Sequence, residues 1–207
     1  MDKGIFITFE GGDGAGKSTQ IGLLNDELIS RGYDVLLLRE PGGTAISEKI
    51  REIILDKDNS EMTYKTEAFL YAAARAQLVE EVIEPAINKG SIVICDRFVD
   101  SSMAYQSYGR ELGDMVWDIN RYAISGIMPE LTFFLKVDPE KGRKRISGRD
   151  LDRMELASAE FHNRVFDGYL ELEKLHPDRI VGIKADQPIE TIATIIIDKV
   201  IDKLDNR

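Results

Sequence analysis

The stretch that decides the fold is Phe9–Gln20, FEGGDGAGKSTQ, which contains the pattern Gly-x-x-x-x-Gly-Lys-Ser between Gly11 and Ser18. This pattern is typical of a loop whose glycines let the backbone turn tightly and point its N–H groups at nucleotide phosphates. The short apolar run Ile5–Glu10 precedes the loop, and apolar residues at helical spacing follow it from Lys17 onward. A strand, a glycine-rich loop and a helix in this order predict a site for the β- and γ-phosphates of ATP or GTP at the helix N-terminus.

The residue types within this phosphate loop have separate expected tasks. Lys17 supplies a point charge for the phosphates, and the Ser18 hydroxyl is a candidate ligand for Mg²⁺. The residues that we expect to bind ATP are Gly11, Gly12, Asp13, Gly14, Ala15, Gly16, Lys17, Ser18 and Thr19.

The rest of the chain alternates buried strands with helices. The predicted strands are Ile5–Glu10, Asp34–Glu40, Ser91–Asp96, Leu131–Val137 and Arg179–Ala185. The predicted helices cover about 17–31, 45–55, 63–88, 101–108, 114–125, 140–147 and 157–175, and a last one runs to the C-terminus. Pro85 is expected to kink or end the third helix, and Asp186 is the expected N-cap of the last. This alternation predicts an α/β fold, a doubly wound five-stranded parallel sheet with helices on both faces.

The phosphate loop alone does not specify a reaction, because switches, motors and kinases all use it. A GTPase switch needs a second Asp-x-x-Gly at a strand end and an Asn-Lys-x-Asp base reader. The Asp-x-x-Gly found here, Asp13–Gly16, lies inside the loop itself, and the NKGS at Asn88 lacks the aspartate. The sequence therefore disfavours a GTPase.

Composition narrows the partners and the compartment. The 207 residues carry a net charge of −10 and have no long linker or repeat, which predicts one domain over 1–207. This charge argues against nucleic acid as a partner, because such a partner needs a basic face. The single cysteine, Cys95, excludes an internal disulfide and favours the cytoplasm. No apolar run reaches the length of a membrane helix or signal peptide, so we expect no membrane association.

The third predicted strand ends in Asp96 and Arg97, at the sheet edge where doubly wound folds bind ligands. Asp96 is a candidate to hold Mg²⁺ through water or to orient the phosphate acceptor. Arg97 could bridge donor and acceptor phosphates with its planar fork of donors. The alternative is a solvated Asp–Arg pair at a strand end.

Several motifs together resemble the thymidylate kinase family of nucleoside monophosphate kinases over essentially the whole chain. They are FEGGDGAGKST, REPGGT (39–44), TEAFLYAAARAQ (66–77), DRFVDSSMAYQ (96–106), GRDLDRME (148–155) and ADQP (185–188). Phosphate loops are widespread, whereas REPGGT followed by DR-x-x-x-S-S-x-A-Y-Q is far more specific. The resemblance implies a P-loop kinase fold with a short lid at about 141–155, phosphoryl transfer from ATP to dTMP, Mg²⁺ as cofactor and a homodimer.

The resemblance also implies roles for individual residues. The residues that it places around dTMP are Asp13, Glu40, Arg51, Tyr71, Arg75, Arg97, Ser101, Ser102, Tyr105 and Gln106. Among them, Tyr71 would stack on the thymine, Arg75 would hydrogen-bond the base edge, and Tyr105 would lie against the deoxyribose. Asp13 would either contact the sugar or steer a lid arginine. Tyr71 and Arg75 share a helix face, although Tyr71 could equally be a core aromatic residue.

The expected chemistry needs cations rather than a base. A phosphate monoester has a second pKa near 6 and is already an anionic nucleophile. The expected catalytic residues are Lys17, Arg97 and the lid arginines Arg149 and Arg153, of which we favour Arg153; Ser18 and Asp96 would hold the metal. The alternatives are a deoxynucleoside kinase, which typically has Glu-Arg-Ser after the third strand, and a regulatory nucleotide-binding module without turnover.

Overall fold

The computed structural model describes residues 3–148 and 150–206 and contains one five-stranded parallel sheet. Its strands are β1 (Phe6–Glu10), β2 (Val35–Arg39), β3 (Ile92–Asp96), β4 (Leu131–Lys136) and β5 (Ile180–Lys184). Each begins and ends within one residue of its predicted bounds. The strand order is β2-β3-β1-β4-β5, with every neighbouring pair parallel. The predicted doubly wound α/β fold is confirmed.

Nine α-helices surround this sheet in the described residues. They are α1 (Lys17–Ser30), α2 (Ala45–Leu55), α3 (Tyr64–Leu78), α4 (Glu84–Asn88), α5 (Val99–Ser102), α6 (Met115–Ala123), α7 (Pro139–Arg145), α8 (Ala159–Leu175) and α9 (Ile189–Asp205). Over residues 3–148 and 150–206, none of these helices combines the length and apolarity needed to cross a membrane.

Side chains alternate between the two faces of β1. Ile7 and Phe9 pack into a core with α1 and α9, while Phe6 packs on the opposite face against the segment around Leu78 and Val79. The last residue of the strand, Glu10, is fully buried. Both faces of the sheet are therefore covered, as expected for a parallel sheet.

The carboxyl ends of the strands meet at one edge, and each expected motif follows one of them. The phosphate loop follows β1, REPGGT follows β2, and Arg97 follows β3. The chain leaves β4 for α7, where the predicted lid begins, and leaves β5 for ADQP. Because β1 lies between β3 and β4, the phosphate loop sits in the middle of the crevice where such folds bind ligands.

The predicted helices differ from the structure in three places. A π-helical segment, Val79–Ile83, separates α3 from α4, and Glu84 N donates to Val79 O five residues back. The interruption expected at Pro85 therefore falls just before the proline. The predicted helix at 101–108 is α5 followed by a second π-helical segment, Met103–Gly109. The N-cap prediction for Asp186 is wrong, because Pro188 is still extended (ψ 143°) and α9 begins at Ile189.

Candidate active site

The phosphate loop has a backbone that requires glycine at two close approaches. Gly11 has a φ of 133°, and a Cβ there would lie 2.7 Å from Leu135 O. Gly14 has a φ of 74°, and a Cβ there would lie 2.4 Å from Gly142 O in α7. Conversely, a Cβ on Gly142 would lie 2.5 Å from Asp13 O. The loop is thus pressed against β4 and the first lid helix, where side chains would not fit.

Lys17 is buried at the start of α1 and faces the loop. Its Nζ donates to Gly11 O (3.2 Å) and Gly12 O (3.3 Å) and lies 3.9 Å from Asp96 Oδ1. Burial, followed by repulsion from Arg97, lowers the pKa of Lys17, while Asp96 and Asp13 oppose that shift. The ammonium group is held beside the phosphate loop by acceptors of the loop and of β3.

Arg97 turns back toward the loop from the end of β3. Its φ of 71° is in the left-handed region, and its backbone N–H donates to Phe9 O (2.9 Å). Its Nη2 donates to Asp13 Oδ1 at 2.8 Å, and its Cζ lies 5.0 Å from the centroid of the Tyr105 ring. Although burial raises it, the charges of Arg97 and then Lys17 hold the pKa of Asp13 below its usual value. Asp13 is therefore a carboxylate tied to Arg97.

One cavity of about 610 Å³ joins the phosphate loop to most of the predicted acceptor residues. The predicted site residues that line it are Asp13, Gly14, Ala15, Gly16, Lys17, Ser18, Thr19, Glu40, Arg51, Tyr71, Asp96, Arg97, Ser101, Ser102, Tyr105 and Gln106. Gly11, Gly12, Arg75 and Arg153 are not among the lining residues, and Arg149 lies outside the described residues.

Three buried polar atoms on the wall of this cavity have no hydrogen-bond partner among the described residues. They are Glu40 Oε1, Asp96 Oδ1 and Tyr105 Oη. A buried polar atom without a hydrogen-bond partner costs free energy, so such atoms are expected mainly where a bound ligand supplies the missing partner. Their position on one cavity indicates a polar ligand with both donors and acceptors.

Arg75 lies fully buried beside the cavity. Its guanidinium donates to Glu40 Oε2 from Nε (2.9 Å) and Nη2 (2.5 Å), and to Phe98 O from Nη2 (3.1 Å). Its Nη1 donates to Ser102 Oγ (2.9 Å) and to Asn120 Oδ1. Burial raises the pKa of Glu40 and the charge of Arg75 lowers it again, with a net rise. All five N–H groups thus have acceptors within the protein, and a contact to a base edge stays a prediction.

Arg51 and Tyr71 both line the cavity, on the side formed by the predicted acceptor residues, which we call the acceptor wall. Arg51 Nη1 donates to Pro41 O at 2.8 Å, and burial, followed by repulsion from Arg39, lowers the pKa of Arg51. Tyr71 is half-buried, and burial followed by the charge of Glu67 raises its pKa. Tyr71 therefore stays neutral and offers a ring to the cavity.

Arg153 contacts the acceptor side of the site rather than the phosphate loop. Its Nη2 lies 2.8 Å from Glu67 Oε2, and its Nε donates to Ile54 O at 2.7 Å. The same buried Glu67 accepts from Gln106 Nε2 (3.0 Å) and pairs with Arg110 (3.1 Å). In this structure Arg153 ties its own segment to α3 through Glu67 and to α2 through Ile54.

Sequence reasoning missed Glu10, Glu67 and Tyr169, which do not line the cavity but hydrogen-bond to residues of the site. Glu10 carries the one available signal, a carboxylate at the end of an otherwise apolar strand directly before the loop. Glu67 and Tyr169 come from helices whose local pattern is ordinary, so only tertiary packing reveals their partners. Asp96 and Ser18, the predicted metal ligands, both line the cavity.

Comparison with known proteins agrees with this geometry. A family model described as thymidylate kinase matches residues 9–196. A thymidylate kinase of Exiguobacterium sp. is 48% identical over 203 residues, which cover 97% of this chain and 96% of that protein. One of Geobacillus sp. is 47% identical over 209 residues, covering 99% and 100%. One of Thermoanaerobacter sp. is 49% identical over 199 residues, covering 96% and 98%.

The family match covers the end of β1, the phosphate loop, α1, the acceptor wall and the first half of α9. It therefore includes both the phosphate loop and the cavity that this loop shares with Arg97. On the arrangement of its site and on these similarities, the chain belongs to the thymidylate kinase family.

Proposed function

We propose that this protein transfers the γ-phosphoryl group of ATP to a phosphate oxygen of dTMP, which gives dTDP and ADP. The observation that carries the proposal is the shared cavity, in which the phosphate loop and the acceptor wall face one space. The wall of this cavity also carries three buried polar atoms without hydrogen-bond partners among the described residues, which favours a polar ligand there. They are Glu40 Oε1, Asp96 Oδ1 and Tyr105 Oη. The names of the similar proteins identify the acceptor as thymidylate.

The acceptor needs no general base. The phosphate of dTMP has a second pKa near 6, so its oxygen is an anionic nucleophile near neutral pH. Catalysis then consists of aligning two anions and stabilising the charge on the group in transit. Lys17 on the donor side and Arg97 between donor and acceptor are placed for this task. Asp13 holds Arg97 in that position through the 2.8 Å contact.

Mg²⁺ is the cofactor that we propose, and the residues present fit it. Asp96 Oδ1 is a buried carboxylate oxygen without a hydrogen-bond partner, on the same cavity as the exposed Ser18. Among the described residues, no three or more acidic, His or Cys side chains are grouped so that they could hold a metal ion by themselves, and Mg²⁺ at a nucleotide usually keeps several waters. When bound to ATP, the ion would neutralise phosphate charge. Ser18 and Asp96 would hold it.

The acceptor wall supports a pyrimidine deoxynucleotide. The Tyr71 ring would stack on the base, and Tyr105 would lie where a ribose 2′-hydroxyl has no room. Arg51 would join Arg97 on the acceptor phosphate. Ser102 and Gln106 would contact the base, and the hydrogen bond from Gln106 Nε2 to Glu67 fixes that amide.

The lid arginines are proposed as further cations for the transferred group. The family that the chain resembles keeps a catalytic arginine either in the phosphate loop or in the lid, and the phosphate loop here has none, so we assign this task to the lid. For Arg153 this role requires exchange of its ion pair with Glu67 for a contact to phosphate. Arg149 is the other candidate.

The experiment that tests the reaction measures ADP release by the purified protein with Mg·ATP and one acceptor at a time. The acceptors are dTMP, UMP, dCMP, AMP and thymidine. Fast turnover with dTMP and little with the others is expected. Turnover with thymidine but not dTMP would make the protein a deoxynucleoside kinase, and tight ATP binding without any turnover would make it a regulatory module.

We also propose that the protein forms a homodimer in the cytoplasm. Helices α2, α3 and α6 pack side by side and expose Ile46, Ile53, Phe69, Trp117 and Tyr122. An exposed apolar face of this kind is typical of a protein interface. Sedimentation of Phe69→Glu should give a monomer, whereas Leu175→Glu, at an exposed leucine of α8, should stay dimeric. A monomeric wild type would contradict the homodimer.

A further inference from the structure

Glu10, the last residue of β1, is a fully buried carboxylate that is not among the residues lining the cavity. The reaction proposed above gives it no task. A buried carboxylate is nevertheless costly unless it is well paired, so its partners are informative.

Both carboxylate oxygens of Glu10 accept hydrogen bonds from groups around Arg97. Oε1 accepts from the backbone N–H of Phe98, the next residue after Arg97, at 2.8 Å. Oε2 accepts from Ser101 Oγ at 2.6 Å and from Tyr169 Oη at 2.8 Å. Glu10 thus holds the backbone turn that follows β3 and two hydroxyls from α5 and α8.

The same two hydroxyls lie next to the Arg97 guanidinium. Arg97 Nη1 is 3.3 Å from Ser101 Oγ and 3.4 Å from Tyr169 Oη, and these two oxygens are 2.9 Å apart. A hydroxyl has one proton, and an ionised carboxylate only accepts. When the hydroxyls of Ser101 and Tyr169 both donate hydrogen bonds to Glu10, their oxygen lone pairs are free to accept from Arg97 Nη1.

We propose that Glu10 is a positioning residue for Arg97, acting through the hydroxyls of Ser101 and Tyr169. Asp13 holds Nη2 from the phosphate-loop side, and the two hydroxyls meet Nη1 from the other side. The left-handed backbone of Arg97 is strained, and the hydrogen bond from the Phe98 N–H to Glu10 helps to retain it. Glu10 therefore fixes both the backbone turn and the guanidinium that it presents.

The proposal requires Glu10 to be ionised. A protonated Glu10 would donate to one of the two hydroxyls, and the proton of that hydroxyl would then turn toward the other hydroxyl or toward Nη1 instead of toward Glu10. Burial, followed by repulsion from Asp100, raises the pKa of Glu10 to about 7. The charged or titratable groups that face it are Lys17 of α1, Cys95 of β3, Arg97, Asp100 of α5, Tyr169 of α8 and Arg179 before β5. Asp100 is itself held by two contacts of 2.7 Å to Arg179, which limits its repulsion.

The test compares Glu10→Gln, which keeps the shape and removes the charge, with Thr8→Val on the same strand. Thr8 is also fully buried, and its Oγ1 is hydrogen-bonded to Thr132 Oγ1 at 2.8 Å, but it has no contact with Arg97. Because misalignment of a catalytic group by about 1 Å costs on the order of 100-fold, Glu10→Gln should lower kcat by about 10- to 100-fold. Its KM for dTMP should change by less than about threefold, and Thr8→Val should keep kcat within about twofold.

Two further readouts separate positioning from mere loss of structure. If Glu10 acts through Arg97, the double variant Glu10→Gln/Arg97→Ala should turn over no more slowly than Arg97→Ala alone. The kcat of the wild type should also fall as the pH drops below about 7, and this ionisation should be missing from Glu10→Gln. The ionisation of the dTMP phosphate near pH 6 is common to both proteins and serves as the internal reference.

Tyr169→Phe keeps the proposal testable if Glu10→Gln does not fold, since it removes one hydroxyl and should lower kcat by about 3- to 10-fold. A Glu10→Gln protein with wild-type kcat and pH profile would overturn the proposal. So would additive losses in the double variant. The inference rests on the proposed function, and turnover of dTMP by the wild type tests that function separately from the variants.

Discussion

Arg75 and Arg97 lie in two regions of one site, and they differ in how many of their guanidinium N–H groups are hydrogen-bonded to protein acceptors. On the α3 side, Arg75 is 1% exposed and gives all five N–H groups to protein acceptors. At the end of β3, Arg97 has one short contact, to Asp13, and two longer ones to hydroxyls. Its Nε has no acceptor among the described residues. The same type of side chain is therefore fully hydrogen-bonded within the protein in one region, and in the other it is the one that we propose to donate to a ligand.

The largest expected effect is on Arg97. Arg97→Ala should lower kcat for dTMP by about 10³- to 10⁵-fold, because an arginine that stabilises a transferred phosphoryl group is worth that much. Its free energy of unfolding should change little, since the lost contacts are few. Steady-state kinetics and urea unfolding measure the two quantities. Near-normal turnover of Arg97→Ala would contradict the catalytic role that we propose for Arg97.

The opposite pattern is expected for Arg75. Arg75→Met leaves Glu40 as an uncompensated buried charge, so the free energy of unfolding should fall by about 3–5 kcal/mol. Adding Glu40→Gln should recover part of this loss, which urea unfolding of both variants can measure. A stable Arg75→Met protein with a strongly raised KM for dTMP would instead support the base contact that the resemblance implies.

Glu10, which we propose to position Arg97, should make the stability of the protein depend on pH. Its pKa is 4.5 as a free side chain and about 7 in the folded protein. Between these values the folded protein keeps a proton that the unfolded chain has released, so stabilisation present below pH 4.5 is lost as the pH rises to about 7.

Across this window, the wild type should lose about 3 kcal/mol of unfolding free energy relative to Glu10→Gln. Urea unfolding at both ends of the window measures the difference between the two proteins. The same difference at both ends would mean that Glu10 ionises like an ordinary carboxyl group.

The smallest effect is expected for Arg153. Because Arg110 also pairs with Glu67, Arg153→Gln should cost only about 1 kcal/mol of stability. A fall in turnover of less than about 10-fold would mean that Arg153 stays on Glu67, and it would contradict the catalytic role that we propose for it. A loss close to that of Arg97→Ala, without loss of stability, would put Arg153 in the catalytic group with Arg97.

Local sequence patterns predicted the five strands and the phosphate loop correctly. All five strands were placed because short apolar runs ending at glycine, proline or aspartate are distinctive, and the phosphate loop was placed by its own pattern. The carboxyl-edge positions of Asp96 and Arg97 followed from the parallel sheet. These features depend only on residues close together in the chain.

Contacts between distant segments could not be predicted in the same way. The four partners of Arg75 come from three separate segments, and Glu67 joins α3 to Gln106, Arg110 and Arg153. No spacing in the sequence encodes these pairings, because tertiary packing decides which buried charges meet. The start of α9 was misplaced for a local reason, the extended backbone of Pro188.

The backbone contact between the phosphate loop and α7 limits how the lid can move. A side chain on Gly14 or Gly142 would collide with the other segment, so the two backbones touch without any spacer. Sliding α7 along the phosphate loop would bring other side chains against the backbone at this contact. Rotation of α7 about the contact would leave the two glycines facing each other. If the residues beyond α7 move as a lid when nucleotides exchange, we expect them to rotate about the contact between Gly14 and Gly142. A methyl group at either glycine should then push the two backbones apart and disturb that rotation.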